Sequence, residues 1–286
     1  MKIMRKKSMR VFIWGVLMLI GIIVVYFNIP ISKERAEFKK MVKEITKEEN
    51  SFVGEFTQKD IENLPEPVQK YFTYCGFIGK PKMSYMNAVF TDVPFLQGKD
   101  GKELSIDYNQ YNLVEKPYRI AHIDSSLFGV PFEGIEYIYK DNNARMKGVV
   151  AKTFSIFDVT GKEMNQSALV TYLAECLIVP NAALQDFIQW EAIDDLHSKA
   201  TISYDGVTAS GVFTFNEKGE MTSFETDDRW VDKGDGSYEK RKWSALCSEY
   251  KNNNGIIQPT HFKAVWHYDD GDLVYFNSDN IKIQFK

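Results

Sequence analysis

Cysteine is scarce and unpatterned in this chain. Cys75, Cys176 and Cys247 lie far apart and form no C-x-x-C pair. Three such residues exclude a dense disulfide framework and a cysteine-rich zinc site, although their spacing leaves open whether two of them pair. Histidine is nearly as rare, at His122, His197, His261 and His267. A flat strand would hold His261 and His267 about 20 Å apart, too far for one metal ion, so neither metal nor cofactor is expected. The sequence has no GxSxG, Walker A, HExxH or GxGxxG motif, no internal repeat and no low-complexity tract.

A charge-free run is present. Residues 11–27 read VFIWGVLMLIGIIVVYF, and 17 helical residues span about 26 Å, close to the thickness of a bilayer core. The run is longer than a typical signal-peptide core, and no small-x-small cleavage pattern follows it. Lys2, Arg5, Lys6, Lys7 and Arg10 precede it. The spacing therefore predicts a signal-anchor over residues 11–29, a basic cytoplasmic tail over 1–10, and the rest of the chain outside a cell membrane. Setting those five cations aside turns the net charge of −4 into −9 for the remainder. That excess disfavours nucleic acid, which is bound through cationic contacts, and also disfavours lying flat on an anionic membrane.

Residues 32–50 predict an amphipathic stalk helix, with Phe38, Met41, Val42 and Ile45 on one stripe. It forms, with its linker, a segment over 30–57. A domain over 58–286 follows. A short helix is expected at 65–74, after Pro65 and Pro67. Strands are expected at 83–93, 103–108, 118–124, 132–140 and 145–159. Helices are expected at 163–179 and 182–189, and strands fill the last hundred residues, with turn signals at Asp205-Gly206 and Asp270-Gly271. This order predicts an α+β fold with a curved, largely antiparallel sheet packed on helices. The 163–179 helix is expected to lay Leu169, Leu173 and Leu177 on that sheet, with Ser167, Thr171 and Glu175 on its other face.

The candidate site residues are few. His122 and Asp124 share a strand face, and Glu133 is a nearby carboxylate. A histidine beside a carboxylate is more often a structural pair than a catalytic one. Trp190, Trp230, Trp243 and Trp266 sit in the strand-rich part and could line an apolar cavity.

The segments LPEPVQKYF (64–72), 146–184, WEAIDD (190–195) and 209–229 resemble an uncharacterised bacterial family of unknown function, whose members often carry N-terminal hydrophobic segments. That resemblance implies no activity and no catalytic residues. The layout is also similar in architecture to periplasmic lipoprotein-carrier domains, in which a curved sheet surrounds an apolar cavity. The function expected is binding of an apolar or amphipathic ligand, or of an envelope partner, rather than catalysis. The alternatives are a cell-envelope hydrolase using His122 with its carboxylates, or a structural subunit of a membrane complex.

Overall fold

A 27-residue helix, α1 (Lys2–Asn28), opens the chain. The computed structural model describes residues 2–47, 54–96, 98–99, 101–141, 143–233 and 236–286, with side chains from Met9 onward. From Met9 almost every α1 residue is exposed, and among the described residues this is the one helix long and apolar enough to cross a membrane. After Pro30 the chain turns into α2 (Lys33–Ile45), where the Ser32 hydroxyl accepts a hydrogen bond from the Arg35 amide at 3.1 Å. The expected stalk helix thus ends at Ile45. Residues 48–53, which include its predicted end and part of the linker, lie outside the described residues. Two short helices follow, α3 (Gln58–Ile61) and α4 (Glu66–Tyr74).

Six strands come next: β1 (Tyr85–Leu96), β2 (Glu103–Leu113), β3 (Arg119–Leu127), β4 (Val130–Tyr139), β5 (Asn143–Val150) and β6 (Phe154–Thr160). The segment 145–159, expected as one strand, is a hairpin. The chain reverses at Ala151 and Lys152, both with positive φ (51° and 58°), and β6 folds back on β5. No Gly or Asn marks this turn, so the sequence carries no signal for it.

Helix α5 (Lys162–Glu175) leads to a 3₁₀ turn over Pro180–Leu184, where a helix over 182–189 was expected. Twelve strands complete the chain: β7 (Ile188–Ala192), β8 (His197–Tyr204), β9 (Val207–Phe215), β10 (Met221–Thr226), β11 (Trp230–Asp232), β12 (Tyr238–Lys240), β13 (Trp243–Ser248), β14 (Lys251–Asn253), β15 (Ile256–Gln258), β16 (His261–Tyr268), β17 (Gly271–Ser278) and β18 (Ile281–Phe285).

Among the described residues, 14 strands form one sheet in the order β6-β5-β4-β3-β2-β1-β17-β16-β13-β10-β9-β8-β7, with β18 on the flank of β1. Each neighbouring pair in it is antiparallel. The fold is α+β. Laid flat, the path from β5 to β9 would be about 40 Å wide, four times the diameter of a helix. Yet α5 touches β4, β5 and β6 on one side and β8 and β9 on the other. The sheet therefore curls around the helix. Bulges in β1 between Phe90 and Val93, and in the β16–β17 pairing at Ala264/Val265, add local bend.

Enclosure explains the composition of α5. Leu169, Val170, Tyr172, Leu173, Cys176 and Leu177 are all 0% exposed, and the polar residues Ser167 and Thr171 are buried with them. The expected polar face is thus turned inward, and each of its members has a partner. The Ser167 hydroxyl accepts from the Trp230 amide at 3.0 Å, Thr171 accepts from Arg229, and Glu175 accepts from Arg119. Helix α2 covers the opposite face of the sheet at β3 and β4, where Phe38, Met41 and Ile45 meet Ile120 and Ile135. Strands β3 and β4 are consequently buried on both faces.

Candidate functional site

Alternation along β2 and β3 sends one set of side chains toward α5 and the other toward α2. Facing α5 are Tyr108, Gln110 and Asn112 from β2 and Arg119 from β3, all buried. Arg119 donates from Nε to Glu175 at 2.9 Å and from an Nη to Glu175 at 3.1 Å, a fork on one carboxylate. The same Nη donates to the Tyr108 hydroxyl at 2.8 Å and to Gln110 at 3.1 Å. Glu136 lies 3.6 Å from the other Nη and accepts from Tyr108 at 3.1 Å. Burial works against a charged Arg119, but Glu175, Tyr108 and Glu136 outweigh it and raise its pKa well above the ordinary arginine value. Burial likewise drives the Tyr108 pKa well up, so its hydroxyl stays protonated and can donate.

This network forms the polar floor of a cavity of about 150 Å³ between α5 and the sheet. Its walls are apolar: Met86 and Phe90 on β1, Ala174 and Ile178 at the end of α5, Phe276 on β17 and Ile283 on β18. A cavity of this size holds an aromatic ring or a segment of an acyl chain. On the far wall the Arg229 guanidinium stands 4.3 Å from the centre of the Trp243 ring and 5.6 Å from that of Trp266, and it donates to Thr171 at 2.6 Å. Lys263 also lines the cavity. Among the described residues, no carboxylate lies within ion-pairing distance of Arg229 or Lys263.

The four candidate tryptophans divide. Trp243 forms part of the cavity wall. Trp266 stacks on Tyr275 behind it. Trp190 packs on Phe213 and donates to the Ala183 carbonyl at 2.9 Å, and Trp230 donates to Gln166 at 2.6 Å. The last two are bound into the frame of the domain.

His122, Asp124 and Glu133 lie on the other side of the sheet, under α2. Arg35 engages Asp124 directly and stands 3.6 Å from Glu133. His122 is 5% exposed, lies against Phe38, and its Nε2 has no hydrogen-bond partner. Burial first, and Arg35 second, depress its pKa from 6.5 to about 4. A histidine that is neutral, covered and unconnected to either carboxylate has no geometry for acid–base work. Its effect is on stability. The unfolded chain takes up this proton near pH 6.5, the folded chain only near 4. Stability therefore falls as pH drops through that window, by up to about 3 kcal/mol. Thermal melts of His122→Leu should lose that part of the acid sensitivity. An unchanged pH profile would refute the assignment.

A Ser-His-Asp alignment occurs elsewhere. His267 Nε2 is 2.7 Å from the Ser244 hydroxyl, and its Nδ1 is 2.7 Å from Asp272. Ser244 is nevertheless 1% exposed within a continuous β-ladder, where it pairs with Val265. It has neither an approach for an acyl group nor spare backbone amides for an oxyanion. His261 is held by Asn277 at 2.8 Å. The three cysteines are buried free thiols, and burial pushes Cys75 and Cys247 up to about 12. Among the described residues, no three His, Cys, Asp or Glu side chains are placed to hold a metal.

Sequence reading missed Arg119 and Arg229. The only available signal for Arg119 was a lone cation in the otherwise apolar run Tyr118–Ala121. Arg229 stands in the run Asp227-Asp228-Arg229-Trp230, where opposite charges beside an aromatic read equally well as a surface ion pair.

No curated protein matches the chain. Among solved structures, a LolA-superfamily protein from Nitrosomonas europaea is similar at 12% identity, with 75% of this chain and 92% of that chain covered and a TM-score of 0.36. At that level the likeness says nothing about activity. A family described as being of unknown function, DUF6544, matches residues 54–278. The chain therefore belongs to the DUF6544 family.

Proposed function

We propose that this protein is a membrane-anchored binding protein that holds an apolar or amphipathic ligand between α5 and the curled sheet. The observation that carries this reading is the cavity itself. It is apolar along its walls and is edged by two cations, Arg229 and Lys263, for which no carboxylate among the described residues lies within ion-pairing distance. An acyl chain suits the walls, and an anionic head group suits the Arg229 guanidinium over Trp243. The floor gives a fixed polar end, in which the Arg119 fork holds Glu175 and the Tyr108 hydroxyl donates to Glu136.

Ala174 is 3% exposed and lines the cavity from α5. In the full chain, Ala174→Phe should fill the space and abolish the emission gain of cis-parinaric acid while the fold persists. Arg229→Gln should weaken that carboxylate probe but leave binding of a neutral analogue of the same chain length intact. Equal binding by wild type and Ala174→Phe would overturn the reading.

The five basic residues before Val11 support a cytoplasmic N-terminus, with the domain on the outer side of a single-pass anchor. Protease added to intact protoplasts should then digest the domain. Protection until lysis would reverse the orientation.

A further inference from the structure

We propose that the β3–β4 and β5–β6 hairpin tips form a second membrane contact, with Phe128 and Phe154 seated in the head-group layer of the same bilayer that α1 crosses. The inference rests on the anchor reading of α1 and goes beyond it, because it assigns part of the folded domain to lipid.

Connections in an antiparallel sheet alternate between its two ends. The turns joining β3 to β4 and β5 to β6 therefore lie at the same end, and the Ala151 amide donates to the Pro131 carbonyl across them at 2.8 Å. The outer end of α1 is fastened to this end. The Lys152 ammonium donates to the carbonyl of Tyr26 (2.8 Å), in the last turn of α1, and to that of Ile29 just beyond it, and the Tyr26 hydroxyl is 3.3 Å from that of Thr153. If α1 spans the hydrocarbon core, Tyr26 to Ile29 lie at its outer boundary, and so do the tips attached to them.

The composition of the tips fits that depth. Phe128 is 91% exposed, Phe154 67%, Ile156 53% and Leu127 41%. Phe128 has a φ of 52°, a region that bulky side chains avoid, so the turn accepts backbone strain and full exposure of a phenyl ring together. Lys152 is strained in the same sense, at φ 58°. Phe154 and Ile156 lie two apart on the edge strand β6 and point the same way. Residues 126–131 and 151–156 carry a single charge, Lys152, in a chain whose remainder beyond the basic tail is strongly acidic. An aromatic tip without acidic residues avoids the repulsion that keeps the rest of such a domain off a membrane. An interfacial aromatic ring gains from partial burial in the head-group region.

The test uses the full chain in phosphatidylcholine nanodiscs containing a lipid doxyl-labelled near its head group or, for the site within α1, a lipid doxyl-labelled near the end of its acyl chain. An environment-sensitive fluorophore is placed, one site at a time, at Ser126→Cys beside the tip, at Lys218→Cys in the exposed β9–β10 loop, and at Ile20→Cys within α1. The native thiols are buried. Ser126 and Ile20 labels should lose most of their emission to the quencher, and the Lys218 label should keep it. Adding Phe128→Asp with Phe154→Asp should abolish quenching at Ser126 and leave it at Ile20. Quenching at Ile20 without quenching at Ser126, or quenching at Ser126 unaffected by the two aspartates, would overturn the second contact. An unquenched Ile20 label would remove the anchor reading, and this inference with it.

Discussion

Leu173→Asp is expected to leave the domain unfolded. Leu173 is 0% exposed in the last turn of α5, the helix that touches strands from both ends of the sheet. Truncating such a leucine costs about 2–5 kcal/mol in lost packing. Burying an unpaired carboxylate adds several kcal/mol more, about the whole stability of an ordinary domain. Neighbouring positions offer no relief, because Leu169, Val170 and Leu177 are equally buried. Circular dichroism should show no cooperative melt, whereas Leu173→Met should melt within a few degrees of wild type. A cooperative transition for the aspartate variant would mean that α5 is not the element around which the sheet closes.

Arg119→Met is expected to cost about 3–5 kcal/mol, because it removes the one cation that compensates Glu175 and Glu136 inside the fold. Glu175 would keep Gln110 and Asn112 as donors, at 3.0 and 2.7 Å, but two amides do not neutralise a buried charge. Combining Arg119→Met with Glu175→Leu should recover a large part of the loss, since an apolar pair of similar volume removes the carboxylate that the fork held and leaves Glu136 with the Tyr108 hydroxyl as donor. Denaturant midpoints of the two single variants and the double variant measure this directly. A double variant as unstable as the sum of its singles would show that the fork on Glu175 is not what holds this part of the core.

The same residues explain what the sequence could and could not disclose. The α+β layout was legible because most strands carry β-branched and aromatic runs punctuated by turn residues, as at Asp205-Gly206 and Asp270-Gly271. Burial of α5 was legible from its leucines, but the inward turn of Ser167, Thr171 and Glu175 was not. A polar stripe reads as solvent-facing until its partners arrive from β3 and from Arg229, more than fifty residues away in the chain. The sequence around His122 does not show which face of its strand is buried, for a physical reason. Strand β3 is covered by α2 on one face and by the cavity on the other, so Ile120 and Ile123 are both buried and the period-two signal disappears. The β5–β6 hairpin escaped because Ala151 and Lys152 adopt left-handed geometry without the residues that normally announce it. Ser244, His267 and Asp272 meet only through the register of β13, β16 and β17, which no local pattern encodes.

The central claim is that ligand enters the space between α5 and the sheet rather than merely surrounding the apolar α1. A photoactivatable diazirine fatty acid, added to the full chain in lipid nanodiscs and followed by peptide mapping, separates the two. The expected result is label on cavity residues such as Met86, Phe276 and Ile283, lost in Ala174→Phe while any label on α1 persists. Label confined to α1, or cavity label unchanged by Ala174→Phe, would contradict the account.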